Sequence, residues 1–531
     1  MTTAFYKFKN EQNFMKKSSS WFIHVTIILI LYWSCQTNSP ANVETVNSGD
    51  NRNIPGVGMP RGLIENTMQA TPGFVFFSPL SSDTTYLINM EGEVVHTWKS
   101  KFGPSGWVYL KENGKLVRGG RDPEAPVFGG GGQGGWLEEF NWNGEIVWQY
   151  NFASSDYLAH HDVAIMPNGN ILALAWEAKT PEEAIQAGRK PDLIPKAGLW
   201  PDMIVELEPQ GSMDARIVWE WHLWDHIIQD YDETKNNFGE LADHPELINI
   251  NNDTELPPPV TNEELDKRRA TNNATTNDTP ENRGSDLFHT NAINYNADLD
   301  QIVLSSPALN EIFIIDHSTT TEEAAGHQGG RWGRGGDILY RWGNPRNFNA
   351  GDSTLQQLGG QHDVHWIGKG LPGEGNLLVF NNYVPGSDPG YSSIVEIKAP
   401  LSDKGYFLNK NGRYGPENPD WSYVASDSLS FFAPFISGTQ RLSNGKTFIT
   451  SGPQGRFFEV NSNKEIVWEY WTPYAGYVRM PDGTTPQPIG PFTYATFRAT
   501  FIPADHPAVA GKNLKPLNPQ PQVYKVEKKV Q

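Results

Sequence analysis

The sequence predicts an all-β fold, a β-propeller of about six blades with a polar inserted loop, and three observations carry that prediction. First, glycine (51), proline (39) and aromatic residues (12%, with 18 Trp) are abundant in the 531 residues, a balance that favours short strands and tight turns over long helices. Second, two phrases recur. One is a turn followed by a β-branched, Trp-containing strand: "NMEGEVVHTW" (89–98), "NWNGEIVWQY" (141–150), "ARIVWEW" (215–221), "GDILYRWGNP" (336–345) and "NSNKEIVWEYW" (461–471). The other is an apolar strand, a turn and a second apolar strand: "WVYLKENGKLVRGG" (107–120), "DVAIMPNGNILALA" (162–175) and "GTQRLSNGKTFITSG" (438–452), with looser copies at 289–306 and 362–382. Third, the phrases alternate, which gives two hairpins per unit and describes four-stranded blades arranged radially. Asn-Gly and related turns supply the positive-φ positions such hairpins need. Five units are counted directly, and the strand-like pieces in 383–430, without the full signature, bring the number to about six.

The remaining segments follow in chain order. Lys7, Lys9, Lys16 and Lys17 precede the apolar run from Trp21, which is short for a membrane span and suited to a signal-peptide core. It ends at Cys35, the only cysteine. Residues 1–35 therefore look like a lipoprotein-type signal with Cys35 lipidated, an uncleaved anchor being the alternative. That implies an exported protein, periplasmic or associated with the outer membrane through its lipid, and one without disulfides. Residues 36–70 read as a polar tether and 71–510 as the propeller. Residues 227–285 read as a surface insertion with a short helix at 261–269, and 511–531 as a tail.

Charge narrows the partners. With 61 acidic and 42 basic residues the formal charge is −19, which repels nucleic-acid phosphates, so no nucleic-acid partner is expected. Register then points to chemistry. The residue ten before Ile171 is His161, and the residue ten before Thr447 is Ser437; with longer turns the same place at the start of an inner strand is held by His289 and His362. Inner strands line a propeller's central channel, so these histidines are expected to meet at one mouth of it. His24 lies in the signal, and His96, His222, His226, His244, His317, His327 and His506 fall outside the register.

The segments "HHDVAIMPNGNIL", "FHTNAINYN", "QHDVHWI", "NLLVFNN", "SGTQRLSNGKTFIT" and "TFRATF" resemble those of the bacterial arylsulfotransferases, over about residues 72–508. The resemblance implies a six-bladed propeller that moves a sulfuryl group from an aryl sulfate to a phenolic acceptor, with no nucleotide donor and no cofactor. It implies that His362 attacks sulfur and is transiently sulfated, and it matches His161 to a second family histidine and His289 with Asn291 to an "HxN" pair. A neutral imidazole is a competent nucleophile, and a histidine can protonate the departing phenolate, a role open to His161 or His289. His160 and Asn291 are candidate substrate contacts.

One position departs from the family pattern. Pro307 follows Ser305-Ser306 where the family has an arginine to hold sulfate oxygens, and Arg498 in "TFRATF" is the substitute favoured here. Two other functions fit the composition: a metal or redox propeller, and a non-catalytic surface lipoprotein that binds glycans or phenolics through tryptophan. Alternation of side chains along a strand argues against metal binding by His160 with His161, or His362 with His365, and no metal is expected. The glycine run "VFGGGGQGGW" (127–136) lacks the setting of a phosphate-binding loop and reads as a flexible channel-side or surface loop. Arg331, Arg334 and Arg341, near Trp332 and Trp342, read as an inter-blade turn.

Overall fold

A computed structural model describes residues 60–252, 256–257, 260–270, 277–475 and 494–523. The signal, Cys35 and residues 36–59 of the tether lie outside these residues, while the end read as tether holds a strand, Gly62–Asn66. No helix among the described residues is long and apolar enough to cross a membrane.

Six antiparallel sheets, five of four strands and one of five, form the blades of a β-propeller. Blade 1 contains Gly73–Pro79, Thr84–Asn89 and Val94–Lys99, and its innermost strand is Thr496–Pro503 from the other end of the chain. Blade 2 spans Pro104–Leu110 to Ile146–Asn151, blade 3 Tyr157–Ile165 to Asp214–His222, and blade 4 Ala292–Asn296 to Tyr340–Trp342. Blade 5 begins at His362–Trp366 and takes its outer strands, Ser393–Ile397 and Trp421–Tyr423, from the region where the repeat signature fades. Blade 6 runs from Gly438–Arg441 to Ile466–Trp471, and Gly62–Asn66 adds a fifth strand at its outer edge. The C-terminal strand thus closes the ring from within, and the N-terminal one extends its outer edge.

The two sequence phrases map onto the two halves of each blade. The strand-turn-strand phrase forms the inner hairpin. The Trp phrase forms the outermost strand, and its tryptophans are buried between blades. Their indole N–H groups reach across the gap: Trp98 donates to the Asn141 carbonyl at 3.1 Å, Trp148 to Asp214 at 2.9 Å, Trp342 to Pro416 at 2.8 Å and Trp468 to Met90 at 2.9 Å, while Trp219 donates to the Thr319 hydroxyl at 3.2 Å. One residue type therefore supplies both the apolar filling and a directional bond from blade to blade.

The insertion between blades 3 and 4 is anchored by apolar side chains of its own. Ile228, Leu241, Ile248 and Ile250 are buried, and Ile227–Ile228 pairs in parallel with Ile248–Asn249. Its helix is Asn262–Ala270, one residue displaced from the sequence expectation. Asn277 reaches the Phe128 carbonyl at 2.9 Å, so the insertion touches the glycine run. That run is packed rather than loose: Phe128 is fully buried and Gln133 nearly so.

Candidate active site

Inner strands deliver side chains to the channel through a repeated backbone irregularity. His161, His289, Asp363 and Ser437 adopt left-handed φ values of 49°, 53°, 57° and 93° near the start of the inner strands of four successive blades, and Gly106 has φ 133° in blade 2. The ladders of blades 2, 3 and 5 slip at the same level. Non-glycine residues take this conformation rarely, and such strain concentrates at functional sites. The blade-5 residue that does so is Asp363, one past His362, so the repeat register is offset there by one residue. The irregularity also overrides strand alternation: adjacent His160 and His161 approach at 2.8 Å between their Nδ1 atoms, where the pleat alone would have separated them.

The three histidines lie close together, with His362 one residue off the repeat register. His161 and His289 meet edge to face at 4.3 Å between centroids, and Phe497 from the C-terminal strand lies 6.4 Å from His161 and 6.3 Å from His362. All three imidazoles are buried. His362 Nδ1 lies 2.9 Å from both the Gly360 carbonyl and Asn382 Oδ1. Both neighbours are acceptors, so Nδ1 carries the proton and Nε2 the lone pair. That lone pair accepts the Ile436 N–H at 3.2 Å. Burial drives the His362 pKa down to about 3; the hydrogen bond to Asn382 opposes the shift and the His289 charge adds to it.

His289 is pushed the other way. Burial disfavours its charge, but the Asp286 charge and its hydrogen bond to Nδ1, joined by the Asp202 charge, together reverse this and raise the pKa. Asp286 is itself held by the Trp176 indole at 3.1 Å, and Trp176 stacks on His160 at 4.3 Å. His160 Nε2 lies 3.1 Å from Asp202, whose other oxygen accepts the Thr290 hydroxyl and N–H. His161 falls well below the ordinary histidine range through burial and the charges of His289, His160 and His362. Its ring packs on the glycine run: a Cβ on Gly132, at φ 77°, would lie 2.4 Å from it.

Arg498 occupies the inner strand of blade 1. Its guanidinium bridges blades 3 and 5, with Nη2 3.1 Å from Asp162 and Nε 2.8 Å from Asp363, while Nη1 donates to the Tyr109 hydroxyl at 2.9 Å. Tyr109 donates in turn to Asp162 at 2.7 Å. Burial works against the Arg498 charge, and the two carboxylates reverse it and raise the pKa. Asn291 is fully buried, donates to the Gln361 carbonyl at 2.9 Å and leaves its Oδ1 without a hydrogen-bond partner. Ser305 and Ser306 donate to the Gln361 and Phe288 carbonyls, and the Pro307 carbonyl accepts Asn310 N–H in a turn.

Sequence reasoning brought His160, His161, His289, His362, Asn291 and Arg498 to this region. It missed Asp162, Asp363, Tyr109, Asp202, Asp286 and Asn382. The two aspartates that flank Arg498 had a signal, the repeated "HDV" at 161–163 and 362–364. The rest pair through space with no sequence mark.

Comparison with known proteins adds the family. The profile of the arylsulfotransferase (ASST) family matches residues 73–472, most of the chain. A search of curated proteins returned no match. Among solved structures, a Bacteroides caccae protein of unknown function aligns at 11% identity over 81% of this chain and 99% of its own, with a TM-score of 0.39. The periplasmic gluconolactonase PpgL of Pseudomonas aeruginosa aligns at 9% identity over 81% and 99%, with a TM-score of 0.35. A streptogramin B lyase gives 10%, 79% and 92%, again with a TM-score of 0.35. Likeness this distant carries no argument about activity. With the family match spanning blades 1 to 6 and the histidine ring at their centre, the chain belongs to the arylsulfotransferase family.

Proposed function

We propose that this protein transfers a sulfuryl group from an aryl sulfate to a phenolic acceptor in two steps, through a sulfated His362. The observation that carries the reading is the opposite protonation bias of two neighbouring buried imidazoles, His362 neutral and His289 held toward the charged form. In the first step the His362 Nε2 lone pair attacks sulfur, the S–O bond to the aryl group breaks, and the departing oxygen takes the Nε2 proton of His289. The ring formed is cationic, and the Asn382 and Gly360 oxygens at Nδ1 favour it. Attack displaces the Ile436 N–H from Nε2 and frees it to donate to a sulfuryl oxygen. In the second step His289 takes the acceptor's proton, the acceptor oxygen attacks sulfur, and the N–S bond breaks.

The other roles follow from position. Asn291 has one N–H engaged with Gln361, the residue before His362, and a second amide hydrogen left to offer a sulfuryl oxygen. Arg498 lies between two carboxylates, which suits it to fixing the His161-Asp162 and His362-Asp363 corners more than to gripping an anion. His160 supports His161 and the Trp176–Asp286 pair. We further propose export and attachment through Cys35.

Initial rates with 4-nitrophenyl sulfate as donor and phenol as acceptor test the reading. Phenol-stimulated release of 4-nitrophenol, parallel double-reciprocal lines and a loss on the order of 10⁴-fold or more in His362→Ala are expected. Intersecting lines, or a His362→Ala protein that retains turnover, would refute it.

A further inference from the structure

A second histidine cluster lies on the outer connections of blades 3 and 4. His226 ends the short helical turn after the last strand of blade 3, and His327 and Asp337 flank the glycine-rich loop before the last strand of blade 4. His226 Nδ1 and His327 Nδ1 each lie 2.8 Å from the same oxygen, Asp337 Oδ1, and the three ligand atoms are within 4.8 Å of one another. We propose that His226, His327 and Asp337 bind a single divalent transition-metal ion of the zinc type, which fastens loop 326–337 to the root of the insertion.

The tautomer of His226 argues for it. Its Nε2 lies 2.8 Å from the Ala324 carbonyl, which can only accept, so Nε2 carries the proton. Nδ1 of the neutral ring is then a bare lone pair facing a carboxylate oxygen in a fully buried setting. Either a second ring proton or a cation has to lie between them, and the second imidazole aimed at the same oxygen fits the cation. A remote ring N–H fixed on a backbone carbonyl is also how metal-binding histidines are oriented.

The surroundings lock this geometry. Trp221 lies parallel to the His226 ring at 5.5 Å with 6° between planes, and its indole donates to the Gly336 carbonyl at 2.8 Å. A Cβ on Gly336 would sit 2.0 Å from the Ala324 oxygen and 2.6 Å from His226 Nε2, so glycine is required beside Asp337. Two imidazoles and one carboxylate suit Zn²⁺ and its transition-metal neighbours, whereas Ca²⁺ and Mg²⁺ prefer all-oxygen shells. The exposed His327 side chain leaves a further coordination position open to water.

The test uses untagged protein stripped with a chelator, reloaded with one equivalent of Zn²⁺ or Co²⁺ and desalted. Elemental analysis is expected to find one ion per chain, with visible d–d bands for Co²⁺ and a rise in Tm. His327→Ala, at an exposed position, and Asp337→Asn are expected to fold with wild-type circular dichroism but to lose the ion, the bands and the Tm shift. His362→Ala, altered only in the channel, is expected to keep all three. Wild-type protein that retains no ion, or an ion retained equally by His327→Ala, would overturn the proposal and leave a proton-bridged cluster in its place.

Discussion

His362 and His289 share one buried ring, and their surroundings bias them in opposite directions. Desolvation keeps His362 neutral down to about pH 3, while Asp286 keeps the His289 proton on to higher pH than an ordinary imidazole allows. On this account the transfer rate stays flat on the acid side as far as His362 governs it, and falls as pH rises through the elevated His289 pKa. Asp286→Asn removes the raising charge, so the alkaline limb is expected to move to lower pH. His289→Ala is expected to slow phenyl sulfate roughly 10²–10⁴-fold and 4-nitrophenyl sulfate less, because the more acidic phenol needs less help to leave. A pH–rate profile with each donor measures both effects, and equal losses with the two donors would remove the acid role from His289. The histidines were legible because a repeat places them at one level of successive strands. Their protonation bias was not, because Asp286 acts on His289 through a local turn and Asn382 acts on His362 across a hairpin, contacts that no period in the sequence marks.

At the scale of elements, the left-handed positions decide where side chains point. Strict alternation would have put His160 and His161 on opposite faces, yet the φ of 49° at His161 turns both toward a shared contact. Pattern reasoning fails at such positions because a β-bulge leaves the hydrophobic period on either side intact. The tryptophan strands show the converse: their "IVW" period stays intact, and its indoles are buried between blades and bond to neighbouring ones. The glycine run looked like a free loop because composition does not reveal what covers it. Gly132→Ala adds a methyl 2.4 Å from the His161 ring at φ 77°, so it is expected to cost about 1 kcal/mol or more from the backbone alone and to lower activity by displacing His161. Denaturant midpoints and turnover measured together check this; a fully active, equally stable variant would show that the run does not position the ring.

The whole molecule depends on joining its ends. Thr496–Pro503 completes blade 1 from within and carries Arg498 between Asp162 and Asp363, whereas Gly62–Asn66 only extends blade 6 at its exposed rim. A chain ending at residue 475 loses an innermost strand and leaves two buried carboxylates without their cation. Breaking a buried pair alone costs roughly 3–5 kcal/mol, so loss of cooperative unfolding is expected. A chain beginning at residue 67 is expected to fold with a modest drop in Tm. Thermal scans of the two truncations decide this, and comparable stability would deny the inner strand its closing role. Blade number was partly hidden in the sequence for the same reason: blade 1 has its inner strand some 400 residues from the rest, and blade 5 separates its outer strands by a long connection. The most direct measurement of the central claim is to mix the protein with 4-nitrophenyl sulfate in the absence of acceptor, follow nitrophenol release in the first turnover, and locate any adduct by peptide mass mapping. A burst of about one equivalent per chain is expected, with a sulfuryl group on the peptide that contains His362, discharged when phenol is added. Turnover with no burst and an unmodified His362 peptide would contradict it.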